Sequence, residues 1–185
     1  MSSFKALFEW GDWNIDLFVF KGVRYVMDAA AGQCQLDMEE YSRNLAWPSL
    51  RNETPGRLNK RLQAEFRSCS GSGQWLCQVR GDVAAWVSLL QVPVEAATLD
   101  DLKAMIGVLR YVKATPKAKL TLRKIKDPVV AGVGDAGLGN APGGKSQGGF
   151  LVALADRSCL HGSAPASLWD LKTHRLRRVT LFPLK

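Results

Sequence analysis

The sequence TLDDLKAMIGVLRYVK, residues 98–113, decides the fold. It carries one apolar stripe with helical spacing, formed by Leu102, Met105, Ile106, Leu109 and Val112. Its first four residues predict a capping box that has aspartate in the position where glutamate is usual. Residues 98–113 are therefore predicted to form an amphipathic helix whose apolar side faces a core.

The basic residues of this helix lie largely off the apolar stripe. They begin a segment, residues 103–126, that contains eight basic residues and no acidic one, in a chain of net charge +8. A second basic run covers residues 172–178. Clustered positive charge favours an anionic partner, most often nucleic acid, although solvated helix faces and a loose tail would account for the same pattern.

The residues before this helix predict a hairpin region and shorter helices. Alternating apolar residues indicate strands at 15–20, 22–27 and 33–38, with a hairpin turn at 29–32. A short helix is predicted at 38–46, a polar loop at 48–60, and a second helix at 83–90 with Asp82 as its cap.

After Pro116 the pattern returns to short apolar runs typical of strands, at residues 120–122, 129–133, 150–154 and 167–171. Residues 134–149 contain seven glycines and are predicted to be a loop. The predicted fold class is thus α+β, with an antiparallel hairpin region, central helices and then an antiparallel three-stranded meander.

The composition is that of a globular protein, because 46% of the 185 residues are hydrophobic and 23% are charged. No apolar stretch approaches the roughly 18 residues needed to span a bilayer, and no basic-then-apolar leader opens the chain. These features predict a cytoplasmic or nuclear protein without a membrane partner.

The segment GNAPGGKS, residues 139–146, matches the phosphate-loop pattern G-x-x-x-x-G-K-[ST]. Such a loop binds phosphate where it opens a helix, whose N–H groups then face the ligand. Here two glycines and a strand-like run follow Ser146, and the ten residues between Lys145 and Asp156 are too few for a crossover helix. A glycine-rich turn between antiparallel strands is the favoured interpretation, with a phosphate-loop nucleotide-binding protein as the alternative.

Several segments, taken in order, resemble the reverse transcriptase and ribonuclease H region of copia-type retrotransposon polyproteins. Residues 8–13, 20–22 and 35–41 are similar to the strands and short helix that follow the polymerase active site. SGSGQWL at 70–76 and RGDV at 80–83 resemble two short signatures of the family, the second with glycine where proline is usual.

The C-terminal part carries the rest of the resemblance. Residues 133–150 resemble the opening of the family's ribonuclease H domain, and residues 167–172 resemble the third strand of that domain. The resemblance implies a C-terminal reverse transcriptase fragment at residues 1–115 and a truncated ribonuclease H-like segment at residues 116–185.

The resemblance gives Asp135 the place of the first catalytic aspartate of ribonuclease H, at the end of its first strand and facing out of the core. Catalysis with two magnesium ions needs several converging carboxylates, and the family's other catalytic carboxylates have no counterpart in this chain. Asp135 is therefore expected to be a vestigial catalytic and magnesium residue in a degenerate, inert nuclease without a cofactor. Asp127, Asp156 and Asp170 match no motif position and are expected in turns or at strand ends.

Nucleic-acid affinity, if the chain retains it, is expected to depend on the basic residues. Binding to RNA–DNA hybrid or DNA would be weak and independent of sequence. The predicted binding residues are Lys103, Arg110, Lys113, Lys145, Lys172, Arg175, Arg177 and Arg178.

The resemblance also implies a missing helix, because the family would begin one after residue 179. Without it, Leu151 or Val152 would lie on an uncovered face or edge of the sheet. Uncovered edges and apolar patches favour association, so self-association is expected.

Overall fold

The computed structural model describes residues 16–91, 93–141 and 145–175. Within these ranges the chain is α+β, with a four-stranded and a three-stranded antiparallel sheet and four α-helices. The strands are β1 (Leu17–Phe20), β2 (Val23–Asp28), β3 (Gln33–Asp37), β4 (Lys119–Arg123), β5 (Pro128–Ala141), β6 (Lys145–Asp156) and β7 (Ala166–Arg175). The helices are α1 (Glu39–Arg43), α2 (Lys60–Leu76), α3 (Ala84–Leu89) and α4 (Leu99–Ala114). None of these four helices is both long enough and apolar enough to cross a membrane.

Strands β1 to β4 form the first sheet in chain order, each antiparallel to the next. The predicted hairpin region is thereby confirmed, with β4 as a fourth strand. Lys21 and Gly22 join β1 to β2 with φ angles of 50° and 78°, the positive values that two-residue hairpin turns favour. Glycine adopts such values without steric cost, which explains Gly22 at this turn.

The main core lies between the first sheet and the helices. Tyr25, Leu36 and Leu120 stand next to one another on β2, β3 and β4 and pack against this core from the sheet. The helices supply most of the large buried side chains, which include Phe66, Leu76, Val87, Leu102, Met105, Leu109 and Val112. Burial of these apolar groups is the main favourable term in folding.

Helix α4 is central to this core, and its sequence prediction is confirmed. The Thr98 hydroxyl accepts a hydrogen bond from the Asp101 N–H at 3.3 Å, and the Asp101 carboxylate accepts one from the Thr98 N–H at 2.8 Å. This reciprocal pair is the predicted capping box. All five residues of the predicted apolar stripe are buried.

Gly73 allows α2, α3 and α4 to approach one another closely. A Cβ atom at Gly73 would lie 3.2 Å from Val87 Cγ2 on α3 and 3.4 Å from Met105 Sδ on α4. Gly71, in the same helix, would have nothing within 4 Å of the same atom. The meeting of the three helices therefore depends on the missing side chain at residue 73.

A buried arginine joins the helices where α2 ends. The Arg80 side chain is 3% exposed and donates hydrogen bonds to both carboxylate oxygens of Asp82, at 2.9 and 2.8 Å. It also donates to the carbonyl oxygen and the hydroxyl of Thr115, at 3.0 and 2.9 Å. The Tyr111 ring lies 5.5 Å from the guanidinium, and the Tyr111 hydroxyl donates to Asp82 at 3.2 Å. Arg80 thus fixes the end of α4 against the turn between α2 and α3.

The prediction that Asp82 caps the next helix is wrong. Asp82 lies in a 3-10 turn, Gly81–Val83, and the N-cap of α3 receives no side-chain hydrogen bond. The two-point bond between the Asp82 carboxylate and the Arg80 guanidinium joins opposite charges and is stronger than a single bond to a backbone N–H. The carboxylate is therefore directed to Arg80.

Strands β5, β6 and β7 form the second sheet as an antiparallel meander, in agreement with the predicted strand order. The prediction of a glycine-rich loop at 134–149 is wrong, because β5 and β6 extend through most of that segment. Cross-strand hydrogen bonds join backbone groups, which glycine supplies as well as other residues do. The ribonuclease H-like assignment of this sheet stays a prediction.

Strands β6 and β7 attach the second sheet to the rest of the chain; from β6, Gln147 donates a hydrogen bond to the Ser88 hydroxyl of α3 at 2.8 Å. The Ser167 hydroxyl accepts a hydrogen bond from the Arg123 N–H at 2.6 Å and donates one to the Arg123 carbonyl at 3.0 Å, which joins β7 to β4. The Thr173 hydroxyl donates to the Ala84 carbonyl of α3 at 3.3 Å. Strand β4 follows the predicted boundary at residue 115 and pairs with β3; the division into two domains stays a prediction.

Both faces of β5 carry exposed apolar side chains. Val130 is 65% exposed, and Val133, on the opposite face, is 67% exposed. Among the described strands β5 pairs only with β6, so its other edge presents backbone groups for pairing. Asp135 is the only charged residue between positions 128 and 141, so charge protects this edge strand at one position only.

We expect Asp82→Asn to lower the free energy of unfolding by about 2 kcal/mol at neutral pH, because the buried Arg80 cation loses its opposite charge. The Arg80 hydrogen bond holds the pKa of Asp82 below its usual value. Its stabilising contribution is therefore complete above the unfolded-state pKa of about 4 and is lost as the pH falls through the lower folded-state pKa. Urea denaturation at neutral and acid pH measures both effects.

The matched control for this variant is Asp100→Asn, because Asp100 forms an ion pair with Lys103 in which both side chains are exposed. This change should alter the free energy of unfolding by less than about 0.5 kcal/mol. Equal losses of stability in the two variants would contradict the role assigned to Arg80.

The two glycines of α2 should respond differently to alanine. Gly71→Ala should raise the free energy of unfolding by roughly 0.5–1 kcal/mol, because alanine favours the helix and its methyl group meets no neighbour. Gly73→Ala should lose this gain, because its methyl group would press on Val87 and Met105 and overpacking costs about 1–3 kcal/mol. Urea denaturation measures the difference, and two equal gains would show that the helices are not closely packed at Gly73.

We predict that the exposed strand β5 makes the chain self-associate. Val130→Lys/Val133→Lys should shift the sedimentation coefficient towards that of the monomer, because two charges on the edge strand oppose both strand pairing and apolar contact. Leu160→Lys, at a side chain that is also 67% exposed but outside the sheet, is the control and should leave association unchanged. A wild-type chain that sediments as a monomer at high concentration would refute this prediction.

Candidate nucleic-acid interface

Helix α4 fixes the position of three predicted binding residues. Its apolar stripe packs into the core, and this turns Lys103, Arg110 and Lys113 to the surface, where all three are exposed. Lys103 and Arg110 lie about two helical turns apart and therefore share one line along the helix. The predicted basic face of this helix is thus present in the structure.

Trp47, from the segment after α1, lies against this basic face. Its ring centroid is 5.8 Å from the Arg110 guanidinium and 5.3 Å from the Lys113 ammonium, distances at which a cation is attracted to an aromatic ring. Lys113 also donates a hydrogen bond to the carbonyl of the buried residue Leu45 at 2.7 Å. These contacts hold the half-buried Trp47 ring beside α4.

A groove of about 500 Å³, here called the Trp47 groove, lies between residues 47–51 and α4. Its apolar side chains include Trp47, Leu50 and Ile106, and its cationic side chains are Arg51, Lys103 and Arg110. All three cations are exposed. Lys103 also contacts Asp100 at 3.3 Å, but both side chains of this ion pair are exposed, so water and salt weaken it.

A larger groove, of about 620 Å³, lies beside β2 and α1. Its charged groups bind one another: Arg24 contacts the buried Asp37 at 3.0 Å, and Glu39 contacts Arg24 at 3.4 Å and Arg43 at 2.7 Å. The hydrogen bonds from Arg43 hold the pKa of Glu39 below its usual value. Mixed, mutually paired charges make this groove a weaker candidate for an anionic ligand than the Trp47 groove.

The other predicted binding residues lie elsewhere in the chain. Lys172 is exposed on β7 of the second sheet, opposite Phe150 on β6. Lys145 and Arg175 belong to β6 and β7, but their side chains are outside what the structure describes. Arg177 and Arg178 also lie outside the described residues.

Asp135 is exposed on β5, but the prediction that it ends the strand is wrong, because β5 continues to Ala141. The strand register places Asp135 on the same face as Gly149 and Thr173. No other carboxylate occurs on that face among the described strand residues, and no cluster of three or more potential metal ligands occurs in the described chain. A site for two magnesium ions needs several carboxylates, so the described residues do not fit one.

The remaining aspartates of the second sheet are placed apart from Asp135. Asp127 accepts a hydrogen bond from Arg157 at 2.8 Å, and Asp156 caps the 3-10 turn Arg157–His161 by accepting one from Ser158 N–H at 3.1 Å. Turn and strand-end positions are thus confirmed for both. The same prediction is wrong for Asp170, which lies within β7, opposite Val152, on the face of the sheet that Asp135 does not share.

The phosphate-loop alternative requires a helix after Ser146. The structure has strand β6 there, antiparallel to β5. Ser146 is buried within β6, and its hydroxyl accepts a hydrogen bond from the Gly139 N–H at 3.1 Å. No helix N-terminus is therefore available at this motif to bind phosphate.

Sequence reasoning missed Trp47 and Arg51 as members of the candidate site. Trp47 belongs to neither basic run and reaches Arg110 from a distant part of the chain. The one available signal was a tryptophan next to proline in a polar segment that also holds Arg51. That signal does not say which helix the segment contacts.

Comparison of this chain with protein-family models, with curated proteins and with solved structures gave no match. The resemblance to copia-type polyproteins therefore rests on the sequence motifs alone. The physical features of the Trp47 groove are the structural basis for a functional proposal.

Proposed function

We propose that this chain is a catalytically inert segment of a copia-type reverse transcriptase and ribonuclease H polyprotein that binds nucleic acid without sequence specificity. The observation that carries the binding proposal is the grouping of Arg51, Lys103 and Arg110 around Trp47. Exposed cations on a fixed scaffold attract a phosphate backbone, and their binding releases condensed counterions.

The contacts that Arg51, Lys103 and Arg110 are proposed to make are contacts to phosphates. Contacts from lysine and arginine to phosphates set affinity and carry no sequence information. Binding through these three cations is therefore expected to be weak and strongly dependent on salt. RNA–DNA hybrid and DNA share the phosphate backbone and are both candidate ligands.

Support for the polyprotein assignment comes from motif order together with strand order. The segment that resembles the ribonuclease H opening lies on β5 and β6, and the segment that resembles the third strand lies on β7. The family's strand order is thus compatible with the antiparallel meander. Among the described strand residues no second carboxylate shares the face of Asp135, which supports the proposal of inactivity.

We expect the wild-type chain to bind labelled DNA and RNA–DNA hybrid more weakly as salt increases. Lys103→Ala/Arg110→Ala should reduce the slope of log K against log salt by about 2, one for each lost phosphate contact. Lys60→Ala/Arg67→Ala, which removes the same charge from exposed positions of α2, should leave the slope nearly unchanged. Fluorescence anisotropy at several salt concentrations measures these slopes, and equal effects of the two variants would rule out the α4 face.

Magnesium-dependent cleavage of an RNA–DNA hybrid should be absent, because the described part of the chain gives Asp135 no partner carboxylate with which to hold two metal ions. The measurement is gel separation of a labelled hybrid after incubation with wild type and with Asp135→Asn. Cleavage by the wild type that disappears in Asp135→Asn would overturn the proposal that the chain is inert.

A further inference from the structure

The Trp47 groove combines two kinds of surface in one concavity. Its apolar part contains the half-buried Trp47 and Leu50 and the buried Ile106, and its cationic part contains Arg51, Lys103 and Arg110. A continuous phosphate backbone needs only the cations. The apolar part suits a flat or apolar ligand group that is covalently joined to an anion.

A nucleotide with an unpaired base has this combination of groups. We infer that the Trp47 groove binds one unpaired nucleotide of a single strand, with the base against Trp47 and Leu50 and its phosphate among the three cations. This inference rests on the proposed function and defines its ligand class. Duplexes keep their base faces stacked inside the helix, so only unpaired bases can use the apolar part.

The size of the groove agrees with this ligand. Its volume of about 500 Å³ lies within the range of roughly 300–1,000 Å³ that is usual for sites of small organic ligands. A single base and sugar fit within such a volume.

Arg110 connects the two parts of the groove. Its guanidinium lies 5.8 Å from the centroid of the Trp47 ring, so it is attracted to the ring while the N–H groups of its planar fork remain able to donate to a phosphate. Lys113 lies 5.3 Å from the centroid of the same ring and donates a hydrogen bond to the Leu45 carbonyl. The aromatic surface is therefore positioned before the ligand arrives, which lowers the entropy cost of binding.

The full chain should bind a labelled oligothymidylate more tightly than a duplex of the same length at equal salt concentration. Trp47→Leu should weaken oligothymidylate binding about tenfold, the typical effect of losing one stacked base, and should leave duplex binding unchanged. Trp47→Phe should keep most of the affinity because phenylalanine also stacks. Trp86→Leu, at a tryptophan that is 63% exposed on α3, is the matched control and should change neither affinity.

The outcomes separate this inference from the proposed function. If neither ligand binds, or if Lys103→Ala/Arg110→Ala has no effect on either, the proposed function fails and the inference with it. If both ligands bind equally and Trp47→Leu changes nothing, nucleic-acid binding stands and the inference is overturned. An acidic peptide that displaces oligothymidylate at equal charge concentration would also overturn it, because the groove would then recognise charge without a base. Circular dichroism melting of the Trp47 variants, with Trp47→Phe as the milder change, separates loss of binding from loss of folding.

Discussion

The ion pair between the buried Arg80 and the exposed Asp82 is the interaction on which the arrangement of the helices depends. Removing an arginine side chain from water is costly, and the cost is offset only because Asp82 and Thr115 satisfy its N–H groups. These bonds tie the end of α4 to the turn before α3. The Thr173 hydrogen bond then joins the second sheet to α3, next to this turn.

Helix α4 determines which of its basic residues lie at the surface. Its capping box fixes where the helix begins, and Arg80 bonds to Thr115 where it ends. Burial of the apolar stripe sets the rotation of the helix about its own axis. With the apolar side turned inward, Lys103 and Arg110 must face solvent. Trp47 completes the candidate site from another part of the chain. The packing of the α4 apolar stripe into the core thus also places the cations of α4 in the groove.

The elements that could be predicted from the sequence are those whose signal is local. The capping box and apolar stripe of α4 and the hairpins of the first sheet depend on residues a few positions apart. The length of β5 could not be predicted, because side-chain patterns do not record the backbone pairing that holds a glycine-rich strand. Trp47 was missed because its contact is long-range. Gly81 was noted as a departure from proline, but only the structure shows a reason: a side chain there would lie 3.2 Å from Leu171 of β7.

The attachment of the second sheet through β7 has a consequence for synthesis on the ribosome. Ser167 and Thr173, which bond to β4 and α3, lie on the last of the described strands. The first sheet and the helices can therefore assemble as the chain emerges, whereas the bonds of Ser167 and Thr173 can form only after residues 166–175 have left the exit tunnel. In that interval the β5–β6 hairpin can contact α3 through the Gln147 hydrogen bond to Ser88 at 2.8 Å, and docking of the second sheet is completed when β7 emerges.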